Sequence, residues 1–232
     1  MSFCRKDKIS NRRYRISKSV PDATIIETSP ELCEFAGAII GNGNLWTDGS
    51  RYRIEITGHP QLDKEYFDHL SKIAYRLFKK KPYPLRVRQR GLRWRLQSKD
   101  AYSLLLELGL PAGKEKSHKV TIPNIIMKKE WDFAKWTMRG IMDTDGTLFF
   151  SKKTYDNPIY PTIEIRTCSK MLANQMTTIL QRNGFRARFR GNKVEGYHVA
   201  LYGSKMLKRW IKEIGFSNPK HMNKIQARKT FI

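Results

Sequence analysis

At 232 residues and 40% hydrophobic side chains, the chain can bury the core of one large domain or two closely joined ones, which excludes a disordered tail or linker. Lys and Arg number 45 against 21 Asp and Glu, for a net charge of +24 and a pI near 10.1; such an excess points to a polyanionic partner, nucleic acid first. No stretch of 18 apolar residues is present and the polar N-terminus lacks the apolar core of a secretory signal, so an intracellular, cytoplasmic protein without a membrane span is expected.

In chain order, residues 1–27 carry Arg5, Lys6, Lys8, Arg12, Arg13, Arg15 and Lys18 with little periodicity, and read as a basic arm able to lie along phosphates. Thr28-Ser29-Pro30-Glu31 is a helix start, with Thr28 and Glu31 spaced as a capping box and Pro in the first turn. The helix predicted over 30–40 runs through Phe35-Ala36-Gly37-Ala38-Ile39-Ile40-Gly41-Asn42-Gly43, with small residues at 37 and 41 and a stopping glycine at 43. Residues 44–50 read as a short strand and turn. Residues 51–57 alternate strictly, Tyr52, Ile54 and Ile56 against Arg51, Arg53, Glu55 and Thr57, as in a half-buried strand. Helical spacing over 62–80 precedes an apparent hairpin about Gly91. In that hairpin Leu85, Val87, Leu92, Trp94 and Leu96 are expected to face inward, and Arg86, Arg88, Arg90, Arg93, Arg95 and Gln97 outward. Ordinary surfaces mix charge signs, so a face this rich in Arg is expected to bind nucleic acid. A helix opened by Ser98 ends at Gly109, residues 111–128 form a linker, and a helix from 129 leads into a second glycine-bearing stretch, Met138-Arg139-Gly140-Ile141-Met142-Asp143-Thr144-Asp145-Gly146.

The second stretch has the register of the first. Gly140 and Thr144 stand four apart, as Gly37 and Gly41 do, and the stopping glycines are 146 − 43 = 103 residues apart. Downstream, Thr162-Ile163-Glu164-Ile165-Arg166 repeats the first strand, 169–180 the helix, and Arg186, Arg188 and Arg190 the basic strand; a further strand covers 194–202 and a helix 204–215. Here the offsets are 204 − 98 = 106 and 215 − 109 = 106. The chain therefore reads as an internal duplication, α+β, of two tandem αββαββα repeats: a basic arm (1–27), a first repeat (28–110), a linker (111–128) and a second repeat (129–232). Cys4, Cys33 and Cys168 show no zinc or disulfide spacing and are expected to be buried free thiols.

On the two glycine-bearing stretches the chain resembles the LAGLIDADG homing endonucleases in their single-chain, two-repeat form, over about residues 30–225. The resemblance implies two antiparallel sheets forming a saddle over double-stranded DNA in pseudo-twofold symmetry, in a monomer. The motif helices would be paired at its centre. It implies an intron- or intein-associated, site-specific endonuclease using Mg²⁺, with Mn²⁺ as an active alternative and Ca²⁺ as a non-catalytic substitute, leaving 3′ overhangs. Asp145 and Asn42 would then hold the metals with help from the backbone of Thr144 and Gly41. Lys114, Lys116 and Lys220 are the candidate basic assistants, 220 − 114 = 106 keeping the repeat register. Arg51, Arg53, Glu55, Thr57, Arg86, Arg88, Arg90, Arg93, Arg95, Gln97, Glu164, Arg166, Arg186, Arg188 and Arg190 are the candidate DNA contacts. Asn42 departs from the family, which carries an acid there; with one negative charge lost, impaired cleavage or nicking is expected. The alternative is a catalytically inactive DNA-binding protein or RNA maturase of the same fold. Residues 141–148 also fit the first motif of haloacid-dehalogenase-like phosphatases, a reading opposed by the helical spacing of Trp131, Phe133, Ala134, Trp136 and Thr137 before them and by the net charge.

Overall fold

The computed structural model describes residues 27–113, 116–128, 131–152 and 159–228. The basic arm, apart from residue 27, and Lys114 lie outside them. The first half runs α1 (Pro30–Asn42), β1 (Gly43–Thr47), β2 (Tyr52–Gly58), α2 (Lys64–Phe78), β3 (Arg86–Arg88), β4 (Gly91–Gln97) and α3 (Lys99–Glu107). Two short helices follow, α4 (Lys116–Lys119) and α5 (Asn124–Met127). The second half repeats the order as α6 (Trp131–Asp145), β5 (Gly146–Ser151), β6 (Tyr160–Thr167), α7 (Lys170–Arg182), β7 (Arg188–Asn192), β8 (Gly196–Tyr202) and α8 (Ser204–Glu213), then adds α9 (Pro219–Gln226). The described strands form two antiparallel four-stranded sheets, ordered β1-β2-β4-β3 and β5-β6-β8-β7. Equivalent pairs open both: Gly43 faces Ile56 and Gly146 faces Ile165. No helix among the described residues is long and apolar enough to cross a membrane.

The halves meet through α1 and α6. A Cβ on Gly37 would collide with the carbonyl oxygen of Thr137, and one on Gly140 with the carbonyl oxygen of Glu34. Since 34 + 103 = 137 and 37 + 103 = 140, the two collisions are the same contact made twice, as a twofold axis between the helices requires. The Thr137 hydroxyl donates to the carbonyl of Cys33 at 3.1 Å across the same seam. The small faces that the sequence placed four residues apart thus bring backbone against backbone. Against this pair each sheet lays its apolar side: Leu45, Ile54, Ile56, Trp94 and Leu96 are fully buried, with Trp94 edge-on to Phe35 of α1 at 5.7 Å between ring centroids.

Local differences from the sequence reading have physical causes. The residue that caps α1 is Ser29 rather than Thr28, its hydroxyl accepting from the Leu32 amide at 3.1 Å; Glu31 therefore falls one place too early to close a capping box with it. Val87 is 64% exposed rather than inward, because β3 is a three-residue edge strand exposed along its whole length. The hairpin turns at Gln89 and Arg90, both at positive φ, while Gly91 already belongs to β4. Val194 lies in the turn before β8, not in the strand. Cys33 is buried as expected, but Cys168 is exposed.

Candidate functional site

The two motif helices end side by side. A Cβ on Gly41 would strike the Thr144 hydroxyl and come within 3.3 Å of the Asp145 Cβ. Asn42 and Asp145, the last residues of α1 and α6, line one cavity of about 490 Å³ together with Gly41, Arg166, Cys168 and Glu195. The last carbonyls of a helix have no intrahelical donors and form the negative end of its dipole, so two such ends converge on this cavity. The Asn42 side chain donates Nδ2 to the carbonyl of Thr57 at 2.8 Å, which commits one amide hydrogen to β2 and leaves Oδ1 as an acceptor.

This donor set fits a hard divalent cation. It offers a carboxylate from Asp145, an amide oxygen from Asn42, and main-chain carbonyls of Gly41 and Thr144 at the helix ends. It carries one negative charge where two facing carboxylates would carry two. No cluster of three or more His, Cys, Asp or Glu side chains able to cage a metal occurs among the described residues.

The basic assistants expected from sequence fall out differently. Lys220 does not line the cavity; its ammonium is held by Asp63 at 3.0 Å, largely out of solvent. Lys114 lies outside the described residues, as does the side chain of Lys116, although Gly113 and Ser117 on either side of them do line the cavity. His59 closes a turn, its Nδ1 accepting from the amides of Gln61 and Leu62.

Behind the motif lies a buried polar cluster that the sequence did not announce. Asp143 is fully buried, with Oδ2 accepting from the Ser217 amide at 2.7 Å and Oδ1 3.7 Å from Nε2 of buried His221. Asn218 donates to both the Asp63 carboxylate and the Asp143 carbonyl, tying the first half to the second. Burial holds the Asp143 carboxyl neutral well above the usual carboxylate range, and burial together with the charge of Lys220 pushes the His221 imidazole down to about 3.

The sheet faces turned away from the core carry the predicted charges. Strand register puts Arg53, Glu55, Thr57, Arg93, Arg95 and Gln97 on one face of the first sheet, with Arg86 and Arg88 beside them on β3 and Arg90 at the turn. In the second sheet Glu164, Arg166, Arg188 and Arg190 share a face, and exposed Arg186 precedes β7. Arg51 lies just before β2, paired with Asp48 at 3.6 Å. The aromatic and imidazole members of these faces are not legible from charge alone. Trp46 lies under the Arg53 guanidinium at 4.7 Å, Phe149 is 40% exposed, and His198 sits beside Glu164 at 3.2 Å. Their strand parity, shared with the arginines opposite, was the available signal. Burial works to raise the Glu164 carboxyl, but hydrogen bonds from Arg190 and His198 outweigh it and hold the group below the usual range.

Residues 132–215 match the family model of the LAGLIDADG-like domain. Among solved structures, I-DmoI in complex with DNA and Mn has a TM-score of 0.56 at 16% identity, covering 81% of this chain and 97% of that one. I-WcaI bound to its DNA recognition sequence gives 0.58 at 14% identity, over 84% and 85%. The LAGLIDADG homing endonuclease I-GzeII in complex with a DNA target gives 0.55 at 8% identity, over 88% and 90%. Identities this low speak for the fold. A curated relative, the replication factor C small subunit of Thermococcus kodakarensis, is 30% identical over 211 residues, 89% of this chain and 22% of the relative. Its namesake from Methanocaldococcus jannaschii is 29% identical over 227 residues, 94% of this chain and 11% of the relative. The chain thus spans no more than about a fifth of the curated relatives it matches. Residues 132–215 thus carry a LAGLIDADG-like domain, and the two-sheet architecture with its paired motif helices is the fold of the solved single-chain homing endonucleases.

Proposed function

We propose that the chain is a site-specific endonuclease of double-stranded DNA, acting as a monomer inside the cell, with its cutting power reduced by Asn42. The observation that carries this reading is the placement of Asn42 and Asp145 at the joined ends of the two motif helices, in one cavity. The solved relatives of the same fold are DNA complexes, with Mn in one and Ca in another. A nuclease fold matching 22% and 11% of two proteins named for a replication subunit is the arrangement expected of a mobile segment carried inside a host, which supports an intein-associated origin over an intronic one.

Mg²⁺ or Mn²⁺ at Asp145 and Asn42 would supply Lewis-acid activation of a water and of the scissile phosphate, Ca²⁺ binding without supporting the reaction. Everything else is the work of the chain. The glycine seam brings the two side chains to one centre, and the resemblance to the homing endonucleases implies cuts that leave 3′ overhangs. Asp145 contributes the negative charge, and Asn42 an oxygen aligned by Thr57. The arginine faces hold the duplex over the cavity by neutralising phosphates.

The single carboxylate at the two motif-helix ends favours a second reading, a DNA-binding protein or RNA maturase that no longer cuts. Both readings are tested on a duplex selected for tight binding from a randomised pool, in Mg²⁺. Asp145→Asn should abolish cleavage while leaving binding within about threefold, and Asn42→Asp should raise the double-strand cutting rate at least about tenfold, the scale of an added catalytic charge. Cleavage unchanged in Asp145→Asn would sink the nuclease reading; no cutting even in Asn42→Asp would favour the inactive binder.

A further inference from the structure

The two basic faces each contain one carboxylate at the same register point. Glu55 on β2 stands opposite Asn44, two residues past Asn42; Glu164 on β6 stands opposite Thr147, two residues past Asp145. Around each, arginines are gathered. In the first sheet Glu55 Oε2 accepts from both Nε and Nη2 of Arg95, at 3.0 and 2.8 Å. Its Oε1 lies 3.4 Å from Nη1 of Arg93, which also donates to the Thr57 hydroxyl. In the second sheet Glu164 Oε2 accepts from Nη2 of Arg190 at 2.8 Å, while Oε1 stands 3.8 Å from Nε of Arg166.

An isolated surface Arg spreads over many rotamers and must be ordered before it can make a two-point contact. Arg95 is already ordered. Its Nε/Nη2 edge is consumed by Glu55, and the end of the guanidinium, Nη1 with the outer hydrogen of Nη2, is left as a fixed pair of donors. The pair belongs to a concavity of about 250 Å³ lined by Arg53, Glu55, Arg88, Gln89, Arg93 and Arg95. Two parallel donors and no acceptor match the base edge that presents two acceptors side by side, O6 and N7 of guanine in the major groove. Phosphate could also accept them, but a phosphate contact gains nothing from a neighbouring carboxylate, whose charge repels it.

We propose that Glu55 and Glu164 are positioning residues for guanine readout: Glu55 presents Arg95 end-on, and Glu164 steadies Arg190 through Nη2, each toward a guanine close to the scissile centre, one in each half of the target. Two residues of strand span about 7 Å, and base pairs rise about 3.4 Å each, which places these guanines roughly two to three base pairs from the centre. The inference rests on the sheet faces being the DNA-binding surface, but needs no cleavage.

The test uses the full chain with a randomised duplex pool in EDTA, followed by dissociation constants for the selected duplex and its single base-pair substitutions. The native chain should select guanine at one inner position on each side. Glu55→Gln should lose about tenfold or more of the discrimination against other bases on the first side while keeping it on the second, and Glu164→Gln the reverse. The charge-conserving Arg95→Lys should reproduce the first-side loss, which removes dependence on how well Glu55→Gln folds. A uniform weakening on all duplexes, an unchanged base profile, or no inner guanine preference in the native chain would overturn the assignment. Absence of any duplex binding would instead sink the DNA-binding reading itself.

Discussion

His221 shows how a single residue can be tuned by its surroundings without touching substrate. It is fully buried against Phe216, 4.9 Å between ring centroids, and beside Asp143. Because burial and Lys220 hold its folded pKa near 3, against about 6.5 for an exposed imidazole, the unfolded chain takes up a proton first as pH falls. Stability carried by neutral His221 is therefore complete above about pH 6.5 and lost on the way down to about pH 3. Relative to His221→Gln, the native chain should lose on the order of 1.4 kcal/mol per pH unit across that window and show no difference in trend above it; denaturant melts at several pH values measure this, and parallel pH profiles would refute it. At this scale the sequence was legible where side chains sit in a repeated frame. Asn42 and Asp145 could be paired because glycines stand at equal distances from each. The cluster of Asp63, Asp143, Asn218 and His221 could not, since its members come from three separate stretches and have no spacing in common.

Among the elements, the paired helices α1 and α6 carry the sharpest constraint. Backbone oxygens occupy the space where side chains at Gly37 and Gly140 would go, so the neighbour cannot yield as a flexible side chain would. Gly140→Ala should cost about 3 kcal/mol or more in a urea melt, whereas the same change at Gly49, whose Cβ would meet nothing, should cost less in spite of its positive φ. Equal losses would argue against the close seam. Most helices were readable from caps and apolar period: Ser98 and Ser169 cap α3 and α7 by accepting from the amides three residues on. Edge strands were not. Val87 alternates correctly and is still exposed, because no described residue covers β3 on that side. The helix α9 was missed although its start is plain, with the Asn218 side chain accepting from the Lys220 amide and Pro219 in the first turn. The pairing of Lys220 with Asp63, which takes it away from the cavity, is a tertiary fact.

For the whole molecule, the net charge of +24 is organised by the fold rather than spread evenly. Strand parity sends arginines of both repeats to the faces opposite the helices, so a cationic surface lies on each sheet. If about eight of these groups neutralise phosphates, log Kd for duplex DNA should rise with log salt at a slope of about 7. Filter binding between low and physiological salt would measure the slope, and a value below about 2 would exclude phosphate neutralisation as the main source of affinity.

Sequence alone determined the duplication, the order of elements within each repeat, the glycine-bearing helices and the arginine strands, because each is a periodic signal carried within a few consecutive residues. Only the tertiary structure decided that Asn42 turns its amide to Thr57, that Lys220 belongs to Asp63, and that Glu55 and Glu164 each gather arginines from neighbouring strands. Those contacts join residues 15 to 157 positions apart. A side chain's partner over such separations is set by how sheets and helices pack, which no local spacing records.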